Sequence, residues 1–442
     1  MNELKARNLA KKRLIELHEL TTGKRYYQNV SDVKRTGVNK GSGVTTEFRN
    51  ADNRLSVNFH QQMVDEKVSY LFTYPPIIDA GDTKVNEKIT ASLGAGYTRK
   101  MKDLAIDASN SGTGWIHYWI ENNEFKYGVV PAEQIIPIYD ASLEKKLIEV
   151  VRVYKSTETD DKLNEVQYYI VENWTDTELH KRKYKLGTDN AIESEDITHT
   201  LGSIPFIVFN NNSTATSDLR KYKDLVDLYD RVLSGYANDL EDIQQCIYII
   251  ENNGATDTGE FLSDLHRFKA INVETDENGN KGGVKTLSID IPVEARNSLL
   301  DILKKQILES GMALQNDTES FGNASGVALK FFYRKLELKA GLMETEFRES
   351  LDELIKVILR FNGMSTDVDI KQVWTRNIIN NDLETAQIAT QSMGILPQKL
   401  VLQNHPWVDD VEDTEKLLEE EEKEKASMFD SYAESFHVGS DE

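Results

Sequence analysis

From Val327 to Phe361 the chain runs without a proline and with a single glycine, Gly341. Along it Leu329, Phe332, Leu336, Ala340, Met343, Phe347, Leu351, Leu354, Ile358 and Phe361 recur at steps of three and four. That spacing places them on one face of one helix. At 1.5 Å per residue, a helix of this length reaches on the order of 50 Å, which is a strut rather than an ordinary packed element. A second helical pattern, centred on EARNSLLDILKKQIL, precedes it, and a polar loop containing Gly322 and Gly326 joins the two.

The remaining pattern is mixed. An opening helix is expected at about 3–20, then a Gly/Ser/Thr loop at 37–46 and a helix from Phe59 to Leu71 stopped by Pro75 and Pro76. Residues 86–110 read as helical, weakened at Gly94 and Gly96. The period then changes to two. Residues 114–120, 125–130 and 135–139 look like a β-meander with Asn122-Asn123 at one turn, and 146–154, 166–174 and 177–185 continue it. Residues 205–209 close this part. A helical stretch is expected from Asp218 to Glu251, ended by Asn252-Asn253-Gly254. A small β-period excursion spans about 254–292 and has little apolar content for a core of its own. After the strut come a strand at 368–374, helices at 382–393 and 397–403, and an acidic helix at 412–428 leading into a polar tail.

Lys and Arg total 52 against 74 for Asp and Glu, a net charge of −22, which excludes a generally basic nucleic-acid-binding surface. The one cysteine, Cys246, forms no internal disulfide and reads as a core thiol in an apolar run. No window is apolar enough to span a membrane. No phosphate-binding G-x-x-x-x-G-K-[ST] is present, and the paired glycines lack the third of a dinucleotide fingerprint. The histidines form no metal-ligand spacing, and Asp276-Glu277-Asn278-Gly279 is a turn, since Lys281 stands where a calcium loop needs glycine. Asp239, Glu241 and Asp242 read as acids on an exposed helix face. No cofactor, metal or catalytic residue is expected.

Several segments together resemble a known family. Ser325 to Ala340 (SGVALKFFYRKLELKA), with LSIDIPVEARNSLLDILKKQI before it, carries the most specific likeness. Asn53-Arg54-Leu55, Val64 to Lys67, Tyr74-Pro75-Pro76, GWIHYWI and VVPAEQIIPIYD follow in the family's order. The chain is similar to the portal proteins, or head-to-tail connectors, of tailed double-stranded-DNA bacteriophages, of the siphophage type. The resemblance covers nearly the whole chain.

It implies an α+β portal fold: long helices, a mixed α/β wing, a small β-containing clip, a helical crown, and a ring oligomer. The wing would be 1–225 with parts of 331–380, the stem helices 226–252 and 293–312, and the clip 253–292. The tunnel loop would be 313–326, the long helix 327–362, and 381–442 the crown and acidic tail. Asn316, Thr318, Ser320 and Asn323 are then uncharged loop groups suited to brief phosphate contacts, with Phe321 beside them. Lys304, Lys305 and Lys330 are the candidates for positive rings in an otherwise acidic channel. Such a wall suits DNA that must slide, because strong phosphate binding would hold it.

The implied partners are further copies of the chain, twelve in the virion with thirteen as the alternative for isolated rings. They also include the terminase motor, a head-completion or adaptor protein, major capsid and scaffolding proteins, and double-stranded DNA. The implied place is a capsid vertex, after assembly in the host bacterial cytoplasm. The competing readings are a non-enzymatic helical scaffold and an enzyme acting on DNA. A metal-dependent cleavage assay separates the last.

Overall fold

The computed structural model describes residues 16–36, 51–159, 163–188, 190–243, 247–251, 283–287, 292–314, 326–377, 382–403, 408, 411, 413–421 and 423–425. The chain divides into one unit made of 1–313 and 338–376 and another made of 314–337 and 377–442.

The first unit opens with α1 (16–27), which runs seven residues beyond the end expected at 20. The hydroxyls of Thr21 and Thr22 donate to the carbonyls of Leu17 and His18 at 2.8 and 2.6 Å, and are thereby satisfied inside the continuing helix. Then come α2 (Asp32–Thr36), α3 (Phe59–Phe72), β1 (Ile77–Asp79), α4 (Thr83–Leu93) and α5 (Tyr97–Ser111). The single helix expected over 86–110 is thus two, divided at Gly94, whose φ of 69° is open to glycine.

The strands are β2 (Thr113–Glu121), β3 (Glu124–Val130), β4 (Ile135–Tyr139), β5 (Leu147–Thr159), β6 (Glu165–Trp174), β7 (Glu178–Lys185), β8 (Ala191–Thr198) and β9 (Phe206–Asn210). The expected single meander is two antiparallel sheets, ordered β3-β2-β9 and β4-β5-β6-β7-β8. The chain leaves the first sheet at Pro131, which cannot donate to a ladder, and a 3-10 turn at Ala132–Gln134 redirects it. The Asn122-Asn123 turn holds, with φ of 52° and 59° at its two residues. Strand β8 is exposed at every position and has no apolar alternation to announce it. Polar contacts to β7 support it: His180 hydrogen-bonds Asp196 at 2.8 Å, and Arg182 pairs with Asp196 at 2.7 Å and Lys183 with Glu193 at 3.2 Å.

Next are α6 (Lys223–Ile243), β10 (Ile247–Glu251), β11 (Gly283–Leu287), α7 (Val293–Ser310), α8 (Gly326–Phe361) and β12 (Lys371–Val373). The helix expected over 218–251 therefore ends at Ile243, and β10 pairs antiparallel with β11. An Ile-Tyr-Ile-Ile run is apolar at both periods, and its β-branched residues favour the strand. The strand expected at 368–374 shortens to β12, which pairs with β1.

The long helix is as the sequence reads. It has 36 residues. Leu336, Ala340, Met343, Phe347, Leu351, Leu354 and Ile358 are all buried. Within the first unit its later turns lie against α3 and β9: the Phe347 ring meets Phe72 at 5.5 Å and Phe209 at 5.1 Å. Ser350 Oγ donates to the Val208 carbonyl at 2.6 Å. Past Leu351 the helix also buries Ile355, Val357 and Leu359, so apolar contact surrounds more than half of it.

The second unit contains α9 (Asp382–Ser392), α10 (Gln398–Gln403) and helical residues over 411–425. Ala389, Val401 and Leu402 are buried there, whereas Ile388, Met393, Ile395 and Leu417 are exposed.

Candidate functional site

Helices α6 and α7 pack antiparallel. Near one end Arg296 forms an ion pair with Asp239, and its guanidinium lies 5.3 Å from the centre of the Tyr236 ring. Near the other, Ile307 enters an apolar cluster with Tyr26, Phe59, Met63, Leu219, Tyr222, Val226 and Ala313. Of the acids read as an exposed helix face, Glu241 is exposed and accepts from Asn53 Nδ2 at 2.6 Å, Asp239 is half-buried in its pair with Arg296, and the Asp242 side chain lies outside the described residues.

The packed face of α6 is not purely apolar. Leu228 and Leu240 are exposed, while Asp230 and Ser234 are fully buried. The reason is a ladder of hydrogen bonds to the extended segment before α3. The backbone N–H of Asn53 donates to Asn238 Oδ1 at 2.6 Å, that of Leu55 to Ser234 Oγ at 3.0 Å, and that of Val57 to Asp230 Oδ1 at 3.0 Å. Two extended residues advance about 6.6 Å and four helical residues about 6 Å, so alternate N–H groups meet every fourth helical side chain. Burial pushes the Asp230 carboxyl above its ordinary value.

A second buried polar group lies where α7 ends. Lys67, Asp218 and Lys339 are 1%, 2% and 4% exposed. Lys67 Nζ lies 2.7 Å from Asp218 Oδ2 and donates to Asn211 Oδ1 at 2.7 Å. Lys339 Nζ lies 3.2 Å from the same carboxylate oxygen and donates to the Gly311 carbonyl at 3.0 Å. Asn211 Nδ2 donates to Asp218 Oδ1 at 2.9 Å. Burial alone would raise the Asp218 carboxyl, but Lys339 and Lys67 hold it far below the usual carboxylate range. Burial pulls the Lys67 ammonium down to about 8. Beside this group, His60 Nε2 donates to Asn110 Oδ1 at 2.8 Å and Nδ1 accepts from the Tyr222 hydroxyl at 2.6 Å. Burial keeps His60 neutral and lowers it to about 4, against the opposing pull of Asp218 and the Asn110 hydrogen bond.

Among the residues singled out from the sequence, Lys304 and Lys305 are exposed on α7. They sit about 100° and 200° around the helix from buried Leu303, away from its packed stripe. Exposed Glu294, Asp301 and Glu309 share that outer surface, so it is mixed in charge rather than basic. Lys330 belongs to α8, and its side chain lies outside the described residues. Asn316, Thr318, Ser320, Phe321 and Asn323 also lie outside them, as does Cys246. The structure therefore describes the two ends of the loop at 313–326: Ala313, buried in the apolar cluster, and the backbone of α8 from Gly326. Sequence reasoning missed the Lys67–Asp218–Lys339 group, whose members stand more than a hundred residues apart. Among the described residues no cluster of His, Cys, Asp and Glu could hold a metal ion, and no helix is long and apolar enough to cross a membrane.

The family model for "Phage portal protein, SPP1 Gp6-like" matches residues 8–427. The portal protein of Clostridium phage phiCD119 is 54% identical over 423 residues, covering 92% of this chain and 94% of that protein. The portal protein of Bacillus phage SPP1 is 27% identical over 442 residues, covering 94% and 86%. Among solved structures, a chain from the neck of an empty GTA particle is similar with a TM-score of 0.44 at 12% identity, covering 85% of this chain and 93% of that one. Matched almost end to end and more than half identical to a curated relative, the chain belongs to the SPP1 Gp6-like family of phage portal proteins.

Proposed function

We propose that this chain assembles into a closed ring at one capsid vertex of a virion, and that double-stranded DNA is packaged and ejected through its central channel. The observation that carries the reading is the apolar surface left exposed on the α6–α7 helix pair. Leu228 on α6 and Leu299 and Ile302 on α7 are 36%, 39% and 59% exposed, and along α7 only Leu303 and Ile307 are buried. In the second unit Ile388, Ile395 and Leu417 are likewise uncovered. Head-to-tail packing of identical copies covers such surfaces and closes into a ring when the rotation per subunit allows.

In this reading 1–225 with parts of 331–380 is the wing, α6 and α7 are the stem, and 313–326 is the tunnel loop. The clip, 253–292 from the sequence, would in this reading also take in β10, and the pairing of β10 with β11 supports that. Residues 381–442 form the crown and tail. The clip is the platform for the terminase motor and later for head-completion or adaptor proteins, and the wing meets capsid and scaffolding proteins. The chain is not an enzyme; the motor supplies the hydrolysis. With a net charge of −22 per copy, the channel wall repels the DNA backbone and keeps contacts brief. Lys304, Lys305 and Lys330 provide local positive rings, and Asn316, Thr318, Ser320, Phe321 and Asn323 line the loop.

Replacing Lys304 and Lys330 together by Ala tests the assignment. Rings should form as in wild type while DNA packaging changes. Failure of rings to form would make these lysines structural.

A further inference from the structure

The chain leaves the first unit after Ala313 and rejoins it at Leu338. The residues that flank this excursion touch: Lys339 Nζ donates to the carbonyl of Gly311 at 3.0 Å. Gly311 caps the C-terminal end of α7, with its N–H on the Ile307 carbonyl, and the N–H groups of Met312 and Ala313 close back onto Glu309 and Leu308. A helix C-terminus carries carbonyls without partners and a partial negative charge, so an ammonium is well suited there. The pairing is also buried, which makes its geometry expensive to abandon. Lys339 is held in turn by Asp218, and Asp218 by Lys67 of α3 and by Asn211. Gly311 packs so closely on α3 that a Cβ there would fall 2.1 Å from Met63 Sδ.

We propose that the buried Lys67–Asp218–Lys339 group is a positioning device for the channel loop. It staples the base of the 312–338 excursion by holding the end of α7 to α8, and it anchors that base to α3 and the 211–218 turn. The proposal rests on the channel reading above. A loop that meets sliding DNA experiences force along the channel, and a fixed base passes that force to the wing instead of letting α7 and α8 slide past one another. Lys339 is the member that touches the loop base. Lys67 fixes the carboxylate from the other side and does not touch Gly311.

The test compares Lys339→Met with Lys67→Met in the assembled full-length protein, using amide hydrogen exchange and packaging in parallel. Lys339→Met should speed exchange of the Gly311, Met312 and Ala313 amides at least tenfold, leave α5 and β9 unchanged, and reduce DNA packaging several-fold. Lys67→Met should leave those three amides protected. Equal exchange in Lys339→Met and wild type overturns the proposal. So does exchange that rises evenly through the unit, release of the three amides by both variants alike, or local release with packaging unchanged. Should Lys339→Met not fold, Lys339→Gln takes its place, with the same outcomes decisive. Wild-type protein that forms no ring and supports no packaging overturns the channel reading instead, and needs no variant to be seen.

Discussion

Single side chains in the first unit have been placed under constraints strong enough to measure. His60 is buried with both ring nitrogens used, and its folded-state value of about 4 lies below the ordinary 6.5. Between these values the unfolded chain binds the extra proton, so stability is fully present above pH 6.5 and is lost as pH falls toward 4. From pH 7 to pH 5 this histidine should cost about 2 kcal/mol of stability. His60→Gln should flatten the fall, measured as the denaturant midpoint at each pH; an unchanged slope would assign the acid sensitivity elsewhere. Gly23 is a second case. A Cβ there would lie 1.9 Å from the carbonyl oxygen of Asn110, where α1 crosses the end of α5. The obstacle is backbone and cannot rotate aside. Gly23→Ala should therefore destabilise by about 1–3 kcal/mol, read as a lower denaturant midpoint; wild-type stability would show that the two helices have room to part.

At the level of elements, the contact between α6 and the extended segment at 53–57 depends on side chains that accept from backbone. Ser234→Ala removes the acceptor of the Leu55 N–H. It should cost about 0.5–1.5 kcal/mol, the net worth of one part-buried hydrogen bond. Ser234→Thr, which retains a hydroxyl, should lose less. Equal losses in the two variants would mean that packing, not the hydrogen bond, sets the cost. This ladder also marks the limit of what the sequence discloses. The long helix was legible because its apolar residues repeat locally, from Leu336 to Ile358. The hairpin at Asn122-Asn123 was legible for the same local reason. Asp230, Ser234 and Asn238 repeat every four residues too, but polar residues at that spacing look like a solvated face. Their partners lie more than 170 residues earlier in the chain. The division into two sheets was hidden likewise, since β2 pairs with β9 across the whole second sheet. The Lys67–Asp218–Lys339 group has no local signature. Of the candidate channel residues, the polarity of the loop was readable, and the structure adds the exposure of Lys304 and Lys305.

For the whole molecule the decisive property is assembly. Ile302 is 59% exposed in the single chain, so Ile302→Glu should alter the stability of an isolated subunit by no more than about 0.5 kcal/mol. In the ring the same change would bury a carboxylate against a neighbour. It should shift the protein toward smaller species, seen by size-exclusion chromatography with light scattering. Wild-type assembly in that variant would remove α7 from the subunit interface. The most direct measurement is native mass spectrometry of the concentrated wild-type protein, with imaging of the same sample. The expected result is a closed ring with a central hole and a mass of about 600 kDa, twelve chains of 50.3 kDa, or one chain more. A dimer, or a filament without closure, would contradict it.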